Sequence, residues 1–316
     1  MNSLSNSRLA PLYSIGIVLL ALIALVYVVT ALPLEALSDV QFQGLSLWFI
    51  PAITLMHLAY LIMSAEVWRR LVNTITGART RFSEAYLQIV SVAVGKYIPG
   101  KVWGFVARTG QLSRASVPAR MSILTSVIEQ FAVLMGGGLV VICAALVVFP
   151  EYLAAIALAG VAMLVGLVIL SRYTPEIARW VQRRRGIDEA PLQDVAGGLW
   201  LWLKLTITYS MLWLINGVIL CVIYFSLFDG MVTVENLAAL ILANTIGFIA
   251  GFIAVFAPGG LGVREATTVA VLAPFFPIRE ALIAAIVLRA LMVFFDGVNC
   301  GIMIFAELKH AARNTK

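Results

Sequence analysis

YLAAIALAGVAMLVGLVILS, residues 152–171, is a run of 20 residues without a charged side chain. A helix of this length rises about 30 Å, which matches the hydrocarbon core of a lipid bilayer. Six further runs reach a similar length: 13–33, 45–65, 121–149, 198–227, 236–257 and 281–306. The sequence therefore predicts an all-α fold, a polytopic transmembrane helix bundle with about seven full spans.

The composition agrees with a membrane protein. The 316 residues are 62% hydrophobic and 12% charged, with a mean hydropathy of +0.99, whereas soluble domains carry about 25% charged residues. The net charge of +6 does not indicate nucleic-acid binding, because the basic residues lie in short loops between apolar runs. The three cysteines lie inside apolar runs and predict neither disulfides nor a metal site. No nucleotide-binding motif is present, and we expect no cofactor.

The chain is predicted to form a single integral membrane domain, residues 1–316. The first run, 13–33, is longer than the apolar part of a signal peptide and no small-residue cleavage site follows it, so it is interpreted as the first span. Two related halves, about 10–172 and 196–310, are joined by a basic loop at 172–197.

The charges of the loops predict the orientation. The loops at 34–44 and 228–235 contain acidic residues and no basic ones. The excess of basic residues on the cytoplasmic side of membrane proteins then puts both termini in the cytoplasm, in a cytoplasmic (inner) membrane. The basic residues next to the runs are Arg69, Arg70, Arg79, Arg81, Arg108, Arg114, Arg120, Arg172, Arg179, Arg183, Arg184, Arg185, Lys309, Arg313 and Lys316.

Two further apolar segments, 84–98 and 266–278, are too short to cross, since each would reach only about 20 Å as a helix. Basic residues on both sides of 84–107 predict that this segment is re-entrant or lies at the interface. For 258–278 the sequence leaves open whether the segment crosses or is re-entrant. A cytoplasmic C-terminus requires that it cross.

Each short segment adjoins a proline–glycine break, where the helix is expected to stop. The two prolines are 159 positions apart (258 − 99), about half the chain. Matched interrupted segments are typical of transport sites, and free N–H groups beside cations suit an anion such as phosphate. Alternatively, both breaks are ordinary loops and their basic residues are orientation signals. The candidate residues are Lys96, Pro99, Gly100, Lys101, Pro258, Gly259, Gly260, Gly262, Arg264 and Glu265.

Glu129, Arg289 and Asp296 lie inside predicted spans, where ionisable residues usually face a bundle interior or a cavity. They indicate either a polar interior that binds a headgroup or a structural ion pair, although their depths argue against a direct pair between Glu129 and Arg289. If the two breaks form one site, they should lie within roughly 15–20 Å of each other. Glu129 or Asp296 should then face a shared cavity that opens sideways into lipid.

These motifs resemble the flippase-like transmembrane family typified by the N-terminal membrane domain of lysylphosphatidylglycerol synthase. The resemblance covers about 10–310. The family often has an arginine after the glutamate and an acidic residue a turn later, whereas this chain has Gln130, Ala132 and Val133, so its charge cluster is thinner. The marks of the resemblance are Pro99-Gly100-Lys101, Ser126-Val127-Ile128-Glu129, Pro258-Gly259-Gly260-Leu261-Gly262-Val263-Arg264-Glu265 and Arg289.

The resemblance implies translocation of membrane lipids or handling of polyprenyl-linked glycans. The aminoacyl-transferase domain of the bifunctional members has no counterpart in this sequence, so lipid aminoacylation is not expected. The favoured hypothesis is a transporter rather than an enzyme, with a phosphate-bearing lipid or lipid-linked glycan as partner and any active transport driven by an ion gradient.

Two alternatives remain open. One is a glycosyltransferase with a polyprenyl-phosphate donor and catalytic candidates Glu35 and Asp39, although their loop of about ten residues is short for a catalytic platform. The other is a non-transporting subunit of a lipid or glycan biosynthesis complex, among partner proteins of envelope biosynthesis.

Overall fold

The computed structural model describes residues 49–98, 100–183 and 198–314, with side chains through residue 306. Short 3-10 turns lie at Pro150–Tyr152 and Pro258–Gly260. Within the described residues the chain forms nine α-helices: α1 (Phe49–Thr76), α2 (Phe82–Gly95), α3 (Trp103–Arg114), α4 (Ala119–Val148), α5 (Leu153–Arg183), α6 (Gly198–Leu227), α7 (Val234–Ile253), α8 (Val263–Leu272) and α9 (Ile278–Asn314).

Six of these helices are long and apolar enough to cross a membrane: α1, α4, α5, α6, α7 and α9. They correspond to six of the seven predicted runs, and the predicted polytopic helix bundle is confirmed. The seventh run, 13–33, lies outside the described residues. The short helices α2, α3 and α8 have 14, 12 and 10 residues and reach only about 15–21 Å.

Two apolar cores mark the two ends of the bundle. In one, Leu71 near the end of α1 packs in the same cluster as Met121 near the start of α4 and Trp202 near the start of α6. In the other, Ile53 near the start of α1 packs in the same cluster as Val148 at the end of α4. Thus α1 runs antiparallel to α4, and α6 runs in the same direction as α4.

The charges differ between these two ends. The end at which α1 stops is called the basic end, and the opposite end the acidic end. Among the residues with described side chains, the basic end has eight arginines and three glutamates, whereas the acidic end has four acidic residues and one arginine. They are Arg69, Arg70, Arg79, Arg81, Arg114, Arg120, Arg172, Arg179, Glu66, Glu84 and Glu176 at the basic end, and Glu151, Asp229, Glu235, Glu280 and Arg279 at the acidic end.

The first hairpin consists of α2, the first break (96–102) and α3. It begins after α1 and ends before α4, so both of its arms start from the basic end. The arms cross with their backbones in contact, since a Cβ atom on Gly95 would collide with the backbone of Gly104. Of the two alternatives predicted for 84–107, a re-entrant segment or one at the interface, this hairpin favours the re-entrant one.

The second hairpin consists of α7, the second break (254–262) and α8. Its arms are antiparallel: Thr268 Oγ1 donates to Ala243 O at 3.4 Å. Beyond α8, the ring of Phe275 lies 5.6 Å from the ring of Phe149, which follows the last residue of α4. The hairpin therefore begins and ends at the acidic end. Residues 258–278 form its returning arm and α9 runs towards the basic end. The two alternatives predicted for 258–278 both assumed that 236–257 crosses by itself, whereas α7 and 258–278 are the two arms of one hairpin.

The chain thus repeats one pattern in opposite orientations. In the first unit, the hairpin from the basic end lies between two long helices, α1 and α4. In the second unit, which follows α5, the hairpin from the acidic end lies between α6 and α9. Inverted repeats of this kind are common in transporters, whose sites lie at the repeat interface. The boundary proposed for the two halves stays a prediction, and residues 184–197 of the joining loop lie outside the described part.

Candidate functional site

The tips of the two hairpins meet inside the bundle. The N–H of Gly259 donates to the carbonyl oxygen of Lys96 at 2.7 Å. Arg289 on α9 donates from Nη2 to Gly259 O at 2.9 Å, which ties the second break to the last span. The prediction that the two breaks lie close together is confirmed for the described residues. Pro99, in the first break, lies outside them.

Glycine is needed at the second break for two reasons. Gly260 and Gly262 have φ angles of +73° and +79°, which side chains other than glycine rarely adopt. A Cβ atom on Gly260 would also lie 2.9 Å from Gly251 Cα in α7. Pro258 starts the 3-10 turn, and the Gly262 N–H, which precedes α8, donates to Glu265 Oε2 at 2.8 Å. The backbone of the break is therefore satisfied within the protein, as its depth requires.

An ionic network surrounds the tips. Lys96 Nζ lies 2.7 Å from Asp296 Oδ2, and the hydroxyl of Tyr97 donates to the same oxygen at 2.7 Å. Arg289 Nε lies 3.5 Å from Glu265 Oε1. Asp296 therefore connects α9 to the first break, while Arg289 connects α9 to the second.

Lys101 joins the tip of the first hairpin to the second hairpin. Its ammonium donates to the carbonyl oxygens of Gly251 at 2.5 Å and Ala254 at 2.7 Å, and lies 3.4 Å from that of Phe252. The last carbonyls of a helix have no partner within the helix and carry partial negative charge. The side chain of Lys101 therefore caps the C-terminus of α7.

Arg108 corrects one interpretation of the sequence. Its position before the third predicted run indicated a loop cation that sets orientation, but it lies in α3 with 1% of its side chain exposed and forms an ion pair with Glu129. Nε donates to Gln88 O at 3.2 Å, and the guanidinium lies 3.8 Å above the ring of Trp68. The sequence feature that indicates this ion pair is Glu129 itself, because a carboxylate inside a predicted span requires a partner.

A cavity of about 270 Å³ lies between the hairpins, with charged groups on an otherwise largely apolar wall. Lys96, Lys101, Arg108 and Glu129 all line it. No residue of the second break does, so the predicted cavity shared by both breaks is not found in the described part of the chain, although Glu129 does line this one. Aromatic side chains form much of the rest of the wall. They are Tyr60, Phe105, Tyr209, Trp213 and Phe248.

Asp296, Arg264, Glu265 and Arg289 are not among the residues that line this cavity. Arg264 is buried, with its guanidinium 3.1 Å from the centroid of the Phe248 ring and Nη2 3.5 Å from Asn244 Oδ1. Arg264 therefore contacts a residue of the cavity wall, Phe248, without lining the cavity itself.

A second cavity of about 620 Å³ adjoins the first and is almost wholly apolar. It runs along α3 and α4, and several of its lining side chains are exposed on the outer surface of the described bundle, which is where lipid would contact it. Four residues line both cavities: Phe105, Gln130, Leu134 and Phe252. The exposed lining residues are Val102, Val106, Ile123, Val127, Phe131 and Phe252. We call this second cavity the lateral groove.

The chemistry available at the site is that of binding. Fixed cations and polar groups at membrane depth can hold an anion, and a neighbouring apolar surface can hold a hydrocarbon chain. Among the described side chains, no group of three or more His, Cys, Asp or Glu residues is positioned to hold a metal ion.

The comparisons with known proteins concern the same residues. The family model described as the lysylphosphatidylglycerol synthase TM region matches residues 12–298, a range that includes both hairpins, both breaks and the cavity. Searches of the curated proteins and of the solved structures gave no match to the chain.

Proposed function

Because the chain belongs to the family of the lysylphosphatidylglycerol synthase TM region, we propose that it is a flippase-like transporter of phosphate-bearing lipids or polyprenyl-linked glycolipids in the cytoplasmic membrane. One observation carries the proposal. A cavity with cations on its wall shares part of that wall with an almost wholly apolar groove that is open along the side of the bundle. A lipid has the same division between a polar headgroup and an apolar tail.

The cavity supplies the groups that a phosphate needs. Lys96 is paired with Asp296 and Arg108 with Glu129, so the charge of Lys101 gives the wall a net positive charge. Hydrogen bonds from cations to phosphate are stronger than those between neutral groups, and they strengthen further away from bulk water. A volume of about 270 Å³ equals several water molecules at about 30 Å³ each, which gives room for a headgroup.

The lateral groove supplies the apolar surface that a tail needs. Most of its exposed side chains lie along α3 and α4, so a tail could remain in contact with the bilayer while the headgroup enters the protein. Such a path avoids moving the hydrocarbon chain through polar surroundings. It also avoids moving the charged headgroup through hydrocarbon, which would cost several kcal/mol.

The opposed hairpins supply a means of alternating access. One enters from the basic end and the other from the acidic end, and their tips are joined by the Lys96–Gly259 hydrogen bond and by the Lys101 cap on α7. Withdrawal of one tip would open the cavity towards one end while the other tip keeps it closed. Movement of one repeat against the other around a fixed site is the usual mechanism for inverted repeats.

The glycosyltransferase and subunit hypotheses have less support. A transferase needs a carboxylate that is available to act as a base, whereas Glu129 on the cavity wall is already ion-paired with Arg108. Glu35 and Asp39 lie outside the described residues. A subunit without transport activity would need neither a headgroup-sized cavity nor a groove beside it.

Reconstitution into liposomes tests the proposal. Purified protein should increase the rate at which labelled phosphatidylglycerol or undecaprenyl phosphate changes leaflet, and the matched lipids without phosphate, diacylglycerol and undecaprenol, should show no protein-dependent increase. The double variant Arg108→Gln/Glu129→Gln should lose this activity while Glu235→Gln, an exposed change at the acidic end, retains it. Equal rates for protein-containing and empty liposomes would contradict transport, and sugar transfer from an added lipid-linked sugar would favour the transferase.

A further inference from the structure

We infer that Glu129 is a resident competitor for the headgroup phosphate, which holds Arg108 until a phosphate replaces it. The inference rests on the proposed function and deepens it, because it names the cation that binds the phosphate and the residue that limits the affinity. The notable feature is the position of the ion pair. Arg108 and Glu129 are almost fully buried, yet both lie on the wall of the cavity, so the pair borders the space that a headgroup would enter.

A phosphate and a carboxylate are interchangeable ligands for a guanidinium. Both present oxygens that accept charge-assisted N–H bonds, and the planar fork of arginine matches either one. Arginine stays charged in proteins, so Arg108 requires an anion whichever partner it has. A lipid phosphate that enters the cavity therefore meets a cation that is already fixed and already occupied.

Arg108 has two supports that do not depend on Glu129. Nε donates to Gln88 O at 3.2 Å, and the guanidinium is stacked 3.8 Å above the ring of Trp68. Trp68 is itself fixed, since its Nε1 donates to Gln88 Oε1 at 2.6 Å. The plane of the guanidinium is thus held by α1 and α2 when the carboxylate leaves it.

Glu129 has neutral donors that would keep it satisfied after release. The hydroxyl of Tyr209 lies 3.5 Å from Oε1, and Nε2 of Gln130 lies 3.3 Å from Oε2. The other charged groups on the cavity wall are Lys96, which is paired with Asp296, and Lys101. Exchange moves the Glu129 carboxylate from an ion pair to neutral hydrogen bonds near the positive charge of Lys101, which lowers the cost of its release.

The consequence is a limit on affinity. A transporter must release its lipid, and a phosphate bound to an unopposed arginine would leave slowly. Competition from Glu129 weakens binding and returns the carboxylate to Arg108 as the lipid departs. Removal of the competitor should therefore tighten binding and slow turnover, the opposite of what a structural ion pair predicts.

The test measures binding of short-chain phosphatidylglycerol and, in a separate arm, undecaprenyl phosphate to the full chain in detergent micelles. We expect Glu129→Gln to bind one of them about 10-fold more tightly than the wild type, because one charge-assisted bond no longer has to be exchanged. The arm that responds identifies the lipid. Glu129→Asp, which keeps the charge but shortens the reach, should bind about 2-fold more tightly, as expected for a weakened competitor.

Two variants distinguish competition from a general effect of charge. Arg108→Gln/Glu129→Gln has the net charge of the wild type, and we expect it to bind at least 10-fold more weakly, because the phosphate ligand is gone. Glu66→Gln removes a carboxylate that pairs with Arg69 and Arg70 outside the cavity, and its affinity should equal that of the wild type.

The outcomes separate the two proposals. Weaker binding by both Glu129→Gln and Glu129→Asp would contradict the role of Glu129 as a competitor. Arg108 and Glu129 would then be a structural ion pair, and the proposed function would be unaffected. Wild-type affinity in the double variant would also contradict the role of Glu129 as a competitor, since Arg108 would not be the phosphate ligand. No phosphate-dependent binding by the wild type would overturn the proposed function and the competitor together.

Discussion

The first and second hairpins share a backbone design and differ in where their cations point. Each has two antiparallel arms that touch through glycine, and each has a glycine-rich break with positive φ angles. In the first hairpin Lys96, Lys101 and Arg108 line the cavity. In the second, Arg264 is stacked on Phe248, outside the cavity.

This difference shows that similar motifs can serve different purposes in one molecule. The second break is packed against α7 so closely that Gly260 has no room for a side chain. The first break is more open at its tip, where a Cβ atom on Gly100 would meet no atom within 4 Å. The second hairpin therefore contributes side chains of α7 such as Phe248 to the cavity wall, while the first contributes the cations.

The first prediction concerns the orientation of the hairpins and has an all-or-none result. Single cysteines at Arg79, before the first hairpin, and at Met231, before the second, should react with a membrane-impermeant reagent from opposite sides of the membrane. Both positions are exposed, at the basic and the acidic end respectively. Arg79→Cys should react from the cytoplasmic side. Reaction of both from one side would remove the inverted relation on which the comparison depends.

The second prediction compares the buried cations of the two hairpins. Arg108→Gln leaves Glu129 without its cation and should lower the free energy of unfolding by about 3–5 kcal/mol. Arg264→Gln loses its contact with the Phe248 ring, and the loss should be about 2 kcal/mol. Denaturant unfolding of both variants in mild detergent measures the two values. A larger loss for Arg264→Gln would mean that the buried cation of the second hairpin contributes more to stability than the buried cation of the first.

The third prediction concerns headgroup binding. Replacement of Lys101 with Gln removes a positive charge from the cavity wall and should weaken phosphate-lipid binding about 10-fold, the lower end of the range for a charge-assisted bond, because its N–H groups already donate to the end of α7. Arg264→Gln should weaken it by a smaller factor, since Arg264 acts through Phe248. Lipid titration with a parallel thermal-stability measurement separates binding from folding. Wild-type affinity in Lys101→Gln would favour the interpretation of the basic residues as orientation signals.

The fourth prediction has the smallest effect and tests whether the two breaks share a backbone design. Gly100→Ala and Gly262→Ala have room for a methyl group but require a positive φ, so each should lower the free energy of unfolding by about 1–2 kcal/mol. Gly260→Ala adds a collision with Gly251 and should cost more. Equal losses of unfolding free energy in Gly260→Ala and Gly262→Ala would mean that α7 moves aside to make room for the methyl group.

The sequence by itself determined the bundle and the positions of its breaks. Hydropathy is a property of consecutive residues, and a span of given length needs no knowledge of its neighbours, which is why six predicted runs coincide with six long helices. Proline and glycine likewise act on their own backbone, so both interruptions were predictable. The meeting of the breaks followed from the cost of stranded backbone in hydrocarbon.

Only the tertiary structure decided which charges act together. Arg108 and Glu129 are 21 positions apart, and Lys96 and Asp296 are 200 apart, so no local pattern connects either pair. A helical sequence indicates which residues share a face, but the partner of that face depends on how the helices pack. For this reason the sequence indicates an orientation signal at Arg108, whereas the structure places Arg108 on the cavity wall. Arg264, the cation next to the second break, contacts Phe248 and does not line the cavity.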